Sequence, residues 1–161
     1  MSTAIGKARV INSGLGQVPK YHISDTDGPD ELKRFRNAVA KAQKQIARLK
    51  AKTSSLTDTT AEELELLLDA HAAMLVSTRM LLGIEKNIAE LNLNAEAASE
   101  IVVEEIARGF EKVKDAYLAA RVQDIKDVGS RILRQLMKTP YQIYSKTVSY
   151  THLRAHETNQ D

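Results

Sequence analysis

Four segments of the chain place apolar side chains alternately three and four residues apart, and this spacing constrains the fold more than any other feature. The first segment runs over residues 32–49 and the last over residues 118–136. Such spacing puts the apolar side chains on one stripe of an α-helix, which is stable only when the stripe is buried against other helices. The sequence therefore predicts a mainly α fold, an antiparallel four-helix-type bundle.

Signals at the helix ends indicate where each helix begins. Pro29 opens the first helix, and residues 60–63 (Thr-Ala-Glu-Glu) have the pattern of a capping box for the second. The apolar pattern weakens over residues 76–78, which predicts a bend or break within the second helix. Asn94 and Asp115 are residue types that cap the third and fourth helices.

The last helix contains Gly129 within its apolar stripe and stops at Thr139, because the residue before a proline disfavours the helical conformation. We interpret Gly129 as a point of close approach between helices. Residues 4–11 and 141–144 have the composition of short strands, joined to the helices on the N-terminal side by a polar connector over residues 12–28. Since isolated strands leave their edges unpaired, we expect the chain to be a piece of a larger protein.

The composition favours packed helices and excludes several classes of site. Aromatic residues make up 4% of the chain, which has no Trp, and the absence of Cys excludes disulfides and thiolate metal sites. The formal net charge is only +2. Basic residues cluster over residues 33–52 but alternate with apolar ones, which favours an exposed helix face over a nucleic-acid site. No apolar run is long enough to span a bilayer, so we expect a cytoplasmic protein without a membrane partner.

The C-terminal tail, residues 148–161, does not follow the pattern of the rest of the chain. Its run VSYTHLRAHET resembles one reading frame of a common sequencing-library adapter, so we expect the native chain to end near Thr147. Two of the four histidines, His152 and His156, lie in this tail. We therefore do not interpret their four-residue spacing as a metal site.

The two other histidines are His22, in the connector, and His71, on the second helix. A histidine on an apolar stripe is typical either of a packed, hydrogen-bonded side chain or of a residue that contacts a partner. Asp69 is two residues from His71 and so points to another face of the helix. No phosphate-binding Gly-rich loop, HExxH pair or Ser-centred elbow occurs in the sequence. The sequence thus predicts no catalytic residue, no metal site and no cofactor in this chain.

Four runs along the chain resemble the Enzyme I family, the phosphoenolpyruvate (PEP)–protein phosphotransferases of the bacterial phosphotransferase system. They are AIGKARVI (4–11), LLLDAHAAML (66–75), LNAEAA (93–98) and DAYLAARVQDIKDVGSRILRQL (115–136), and the resemblance covers residues 4 to about 144. The last run is the most specific of the four.

The resemblance implies a helical subdomain inserted into an α/β subdomain after its first strand. We accordingly assign residues 1–28 to a lead-in strand and connector, residues 29–139 to the helical subdomain and residues 140–147 to the return into the α/β subdomain. In the family, a Gly-rich Ser-His motif carries the phosphohistidine, and a C-terminal barrel binds PEP and magnesium and is expected to form a homodimer. Neither motif occurs in this sequence, so we expect this chain to be inactive by itself.

The resemblance also implies a partner, the histidine-containing phosphocarrier protein. The family's docking surface maps onto five residues of this sequence, which are His71, Met74, Leu75, Arg79 and Arg121. Met74 and Leu75 fit an ordinary core equally well, and Arg121 fits a surface pair with Asp124 three residues on.

Two questions stay open at this stage. Ser77, Thr78 and Arg79 stand where sugar-transport members carry acidic residues, which favours the nitrogen-regulatory branch of the family. An alternative to docking is a structural or oligomerising bundle, because 3-4 stripes suit self-assembly too. Such a bundle would show a helicity or mass that depends on concentration, whereas a monomeric docking module would not.

Overall fold

A computed structural model of the chain describes residues 17–56 and 58–140, and these residues form five α-helices. The helices are α1 (Gly28–Thr53), α2 (Thr59–Met74), α3 (Thr78–Leu91), α4 (Ala95–Glu111) and α5 (Ala116–Lys138). There are five helices instead of four because the predicted break divides the second helix into α2 and α3, which are bent by 46°. The predicted strands over 4–11 and 141–144 and the tail over 148–161 lie outside the described residues.

The helix caps agree with the sequence at one position and differ at two. Asp115 caps α5 as predicted, its carboxylate accepting a bond of 2.7 Å from the Tyr117 amide. The predicted capping box at residues 60–63 is wrong, because α2 begins two residues earlier on Asp58, which accepts from the Ala61 amide. Asn94 stands at the N-cap of α4, yet its side chain makes no capping bond.

The core forms from the predicted stripes of α1 and α5. Phe35, Ala42 and Ile46 of α1 are at most 1% exposed, and Ile132 and Leu136 of α5 are fully buried. Both helices therefore use the 3-4 pattern as the sequence predicts.

The apolar spacing predicts a stripe of Leu64, Leu67, His71 and Met74 on α2, widened by Leu68 and Leu75, and the structure confirms only part of it. Leu64 and Leu67 are 38% and 37% exposed, whereas Leu68 is buried in the core. The reason is that α2 packs against α1 and α5 with the face that carries Leu68, His71 and Leu75. Leu67 lies on the flank of that face, and Leu64, four residues before Leu68, is in line with it yet is also partly exposed to solvent.

Polar contacts define the direction of the helices. Gln43 donates to the carbonyl of Leu75 (2.9 Å), whereas Lys50, further along α1, pairs with Asp69, earlier in α2. Arg131 likewise bonds Gln45, while the earlier Arg34 reaches the end of α5. Both α2 and α5 therefore run antiparallel to α1.

Gly129 marks the close approach of α4 and α5 that the sequence predicts. A Cβ atom at this position would lie 3.0 Å from Cγ2 and 3.3 Å from Cγ1 of Val103. A side chain at this position would require Val103 to shift by a few tenths of an ångström, whereas glycine fits the crossing at the observed distance.

The connector before α1 pairs with the turn between α3 and α4. His22 and Leu93 form an isolated antiparallel bridge, and the described residues contain no longer strand. The amides of Ile23 and Asn94 donate to the carbonyls of Asn92 and Tyr21 at 2.7 and 3.0 Å. The Asn94 side chain also accepts from the Tyr21 amide and donates to the Pro19 carbonyl. Asn94 thus anchors the connector before α1 to the helical bundle instead of capping α4.

Arg34 is the centre of a buried ionic cluster, and its guanidinium is 2% exposed. It pairs with Glu31, one turn earlier in α1, and with Glu96 in α4. Its Nη1 group also donates to the carbonyls of Leu136 (2.9 Å) and Thr139 (2.8 Å), at the end of α5. All five N–H donors of a guanidinium thereby have acceptors.

Glu31 completes this cluster by capping α4 from a different helix. Its Oε2 atom accepts from the Ala95 amide at 2.6 Å, and its side chain is fully buried. The interpretation of residues 33–52 as a solvated face is therefore wrong for Arg34. Burial alone would lower the pKa of Arg34, but its bond to Glu31 and the charges of Glu96 and Glu31 outweigh burial and raise it.

Among the described residues, no single helix is long and apolar enough to cross a membrane. The pair Thr59–Met74 and Thr78–Leu91 reaches the required length and composition only when its two bent members are taken together.

Candidate functional site

His71 lies near the end of α2 and is 2% exposed. Its Nδ1 atom accepts a bond of 3.1 Å from Nε of Arg131 in α5, and Nη1 of Arg131 donates to Gln45 of α1 at 3.3 Å. Since Nδ1 is an acceptor, the proton of the neutral ring lies on Nε2. Burial, followed by the nearby charge of Arg131, lowers the pKa of His71, so the ring is held neutral.

Asp124 of α5 stands between His71 and Arg121. Its Oδ1 atom is 3.8 Å from Nε2 of His71, and its Oδ2 atom is 3.2 Å from Nη2 of Arg121. The first distance is too long for a hydrogen bond, and the buried Nε2 atom has no other partner. The guanidinium of Arg121 also lies over the ring of Tyr117, 5.5 Å from its centroid, a cation–π arrangement.

The structure brings together some of the predicted docking residues. His71 and Arg121 meet across Asp124, although 50 residues separate them in sequence. Met74 is half-buried one turn after His71, and Leu75 is fully buried in the core, where it contributes packing. Arg79 is exposed in the first turn of α3, and among the described residues its side chain joins none of the ion pairs of the His71 cluster.

Exposed apolar side chains occur on the same helices as these residues or directly after them. Val76, which follows the end of α2, is 63% exposed, Leu82 in α3 is 60% exposed and Tyr117 in α5 is 68% exposed. We refer to the five predicted residues together with Val76, Leu82 and Tyr117 as the α2–α5 surface. Apolar and aromatic side chains beside arginine are typical of protein–protein contact regions.

The group His71, Asp124 and Asp127 also has the spacing of a metal site, because its ligand atoms lie within 4.8 Å of one another. The donor set does not favour a cation. Nδ1 of His71 accepts from Arg131, so Nε2 carries a proton where a metal would need a lone pair. Arg121 and Arg131 already supply positive charge beside the two carboxylates. The two arginines therefore balance carboxylate charge that a metal ion would otherwise neutralise.

Part of this cluster is predictable from the sequence. The pairing of Arg121 with Asp124 follows from their three-residue spacing on one helix. The bonds of His71 to Arg131 and of Arg131 to Gln45 join residues 60 and 86 positions apart. Nothing in the local sequence signals those contacts, because they depend on how three helices pack.

Comparisons with known proteins match one family over most of the chain. The family model described as PEP-utilising enzyme, N-terminal, matches residues 2–121. The phosphoenolpyruvate-protein phosphotransferase of Cupriavidus necator is 33% identical over 137 residues, which cover 85% of this chain and 23% of the relative. That of Enterococcus faecalis is 32% identical over 136 residues, with 83% and 23% covered. The chain therefore spans about a quarter of the length of these relatives.

Two solved structures have a similar fold. A solution structure of Enzyme I aligns with a TM-score of 0.70 and 26% identity, covering 76% of this chain and 48% of the other. An N-terminal domain of nitrogen Enzyme 1 aligns with a TM-score of 0.64 and covers 74% of this chain and 49% of that one. At 23% identity, the second likeness concerns the fold alone.

Proposed function

The chain belongs to the family of N-terminal regions of PEP-utilising enzymes, and on that basis we propose that it binds a histidine-containing phosphocarrier protein through the α2–α5 surface. In the proposed parent protein, a cytoplasmic PEP–protein phosphotransferase, this docking brings the carrier's histidine close to a phosphohistidine on the α/β subdomain. Catalysis then depends on proximity between two proteins, and this chain supplies the binding energy. We expect no transfer by the chain alone, since it lacks the family's phosphohistidine and PEP motifs.

The observation that carries this proposal is the meeting of His71 and Arg121 across Asp124. The family resemblance assigns both residues to the docking surface, and the fold places them in one cluster bordered by the exposed ring of Tyr117. Leu75, which precedes the exposed Val76, is fully buried in the core, so it contributes packing and not contact area. An arginine and an aromatic ring on a preformed helical scaffold are the side chains that contribute most to protein–protein affinity.

A calorimetric titration of the chain with a histidine-containing phosphocarrier protein tests this proposal. We expect saturable binding that Arg121→Ala weakens by about tenfold, or roughly 1.4 kcal/mol. Arg108→Ala is the matched control, because Arg108 also pairs with an acidic residue of its own helix, Glu104 at 3.0 Å, but lies outside the α2–α5 surface. It should change the Kd by less than about twofold.

Two outcomes would contradict docking at this surface. One is the absence of binding by a chain that circular dichroism shows to be folded. The other is an equal effect of the Arg121 and Arg108 substitutions. Sedimentation equilibrium on the same samples tests the alternative of a self-associating bundle. Leu64 and Leu67 of α2 provide exposed apolar area for such self-association. A mass that rises with concentration and no carrier binding would favour that alternative.

The same titration with carriers from both branches tests which branch the parent serves. Ser77, Thr78 and Arg79 lead us to propose the nitrogen-regulatory carrier as the tighter ligand. Arg79→Glu should reverse this preference if the charge at that position selects the carrier. Tighter binding of the sugar-branch carrier to the unmodified chain would contradict this assignment.

A further inference from the structure

Arg121 is restrained on two sides before any partner arrives. Nη2 contacts Oδ2 of Asp124 at 3.2 Å, and the guanidinium plane lies over Tyr117, 5.5 Å from the ring centroid. The side chain is still 33% exposed, and its Nε atom has no hydrogen-bond partner. A free arginine loses rotamer entropy when it is fixed, so restraint in advance reduces the cost of binding.

Asp124 is itself held in place by the core. The residue is only 8% exposed, and its second oxygen faces the N–H group of His71 across 3.8 Å. The His71 ring cannot turn freely, because Arg131 bonds its other nitrogen and is anchored in turn on Gln45 of α1. Hydrogen bonds thus lead from Gln45 of α1 through Arg131 to His71, whose ring lies beside Asp124, and Asp124 in turn pairs with the partly exposed Arg121.

We propose that Asp124 is a positioning residue of the docking surface, which fixes the guanidinium of Arg121 in the orientation that the partner meets. This inference rests on the proposed docking function and adds the residue that orients its arginine. Asp124 is too buried to offer a partner much area of its own, so its effect on affinity passes through Arg121.

A double-mutant cycle between Asp124 and Arg121 tests this inference. Arg121→Ala should weaken carrier binding by about tenfold in the unmodified chain but by less than about threefold in the Asp124→Ala background. The smaller effect is expected because an arginine that is no longer oriented contributes little to affinity. Asp124→Asn keeps an oxygen that can accept from Arg121, so it should restore part of the affinity that Asp124→Ala loses. A purely structural role would produce neither the coupling nor this rescue.

Asp127→Ala is the matched control within the same cluster. Asp127 lies one turn further along α5 and accepts from Gln123 at 2.9 Å instead of from an arginine. Its removal should change the Kd by less than about twofold. Unfolding midpoints of all variants show whether each one is folded at the titration temperature.

The outcomes separate this inference from the function on which it rests. If the folded, unmodified chain does not bind the carrier, the docking function fails. If the chain binds and the Asp124 and Arg121 effects simply add, or if Asp124→Ala binds more tightly, then Asp124 does not position Arg121 and the inference is overturned.

Discussion

Two buried polar clusters lie along the same pair of antiparallel helices, α1 and α5, and they differ in how completely their donors are used. In the Arg34 cluster, all five N–H donors of the guanidinium reach Glu31, Glu96 or the last carbonyls of α5. In the His71 cluster, Nε2 of His71 and Nε of Arg121 have no hydrogen-bond partner. About 18 Å of α5 separates Asp124 from Leu136, whereas Arg131 of the His71 cluster lies about 8 Å along the helix from Leu136.

The difference indicates a division of roles. A buried ionic cluster with every donor paired stabilises one arrangement of helices and has nothing left to offer a partner. Buried, unpaired donors such as those of the His71 cluster cost stability, and what this cluster can offer a partner is the accessible part of Arg121, whose side chain is 33% exposed. We therefore expect substitutions in the Arg34 cluster to change folding, and those at the edge of the His71 cluster to change binding.

The largest effect is expected at Arg34. Arg34→Met leaves Glu31 and Glu96 as unpaired buried carboxylates, and the expected loss in unfolding free energy is about 3–5 kcal/mol. Urea denaturation followed by circular dichroism measures it. The control is Arg36→Met, which breaks an exposed pair with Glu85 (side chains 61% and 21% exposed) and should cost less than about 1 kcal/mol. Equal losses of unfolding free energy in the two variants would contradict the role of the buried cluster in stabilising the fold.

Gly129 lies on α5 between the two clusters and sets the distance between α4 and α5. Gly129→Leu should cost about 1–3 kcal/mol, because its Cβ would meet Val103 at 3.0 Å. Gly109→Ala is the control, since a Cβ there has nothing within 4 Å, and it should gain up to about 1 kcal/mol in helix propensity. Chemical denaturation of both variants measures the difference. A stabilising Gly129→Leu substitution would show that the helices are not in close contact.

A smaller effect is expected from the pH dependence of the His71 cluster. Because burial lowers the pKa of His71 in the folded chain, the unfolded chain takes up the proton first as the pH falls below about 6.5. His71 therefore makes the folded chain less stable as the pH falls. The His71→Gln variant lacks this contribution because glutamine does not titrate. Denaturation between about pH 5 and pH 8 measures the difference between the two chains. A difference that is constant over this range would mean that His71 is not held neutral.

The sequence predicts those parts of the fold that depend on local pattern. The stripes of α1 and α5, the Asp115 cap and the close approach at Gly129 are confirmed, since each depends on spacing or on a residue type at one position. The burial of Arg34 is not visible locally, because charged residues on a helix are usually solvated and its acceptors lie in three helices.

The same limit applies to the candidate site. The surface pair of Arg121 with Asp124 is predictable from helix geometry. The placement of Asp124 beside His71 depends on the angle at which α2 crosses α5, which no local pattern specifies. For the same reason the stripe of α2 is only partly predictable, since leucines occupy several faces of that helix and only tertiary packing selects the face that buries Leu68.

The most direct test of the division of roles measures stability and carrier binding in the same samples of Arg34→Lys and Arg121→Ala. Lysine keeps the charge of Arg34 but has three donors instead of five, so the variant should stay folded and lose about 1–3 kcal/mol of stability, with a Kd within about twofold of the unmodified chain. Arg121→Ala should keep its unfolding free energy within about 1 kcal/mol and lose about tenfold in affinity. If both variants lost stability and affinity in the same proportion, the two clusters would not have separate roles and the account would be wrong.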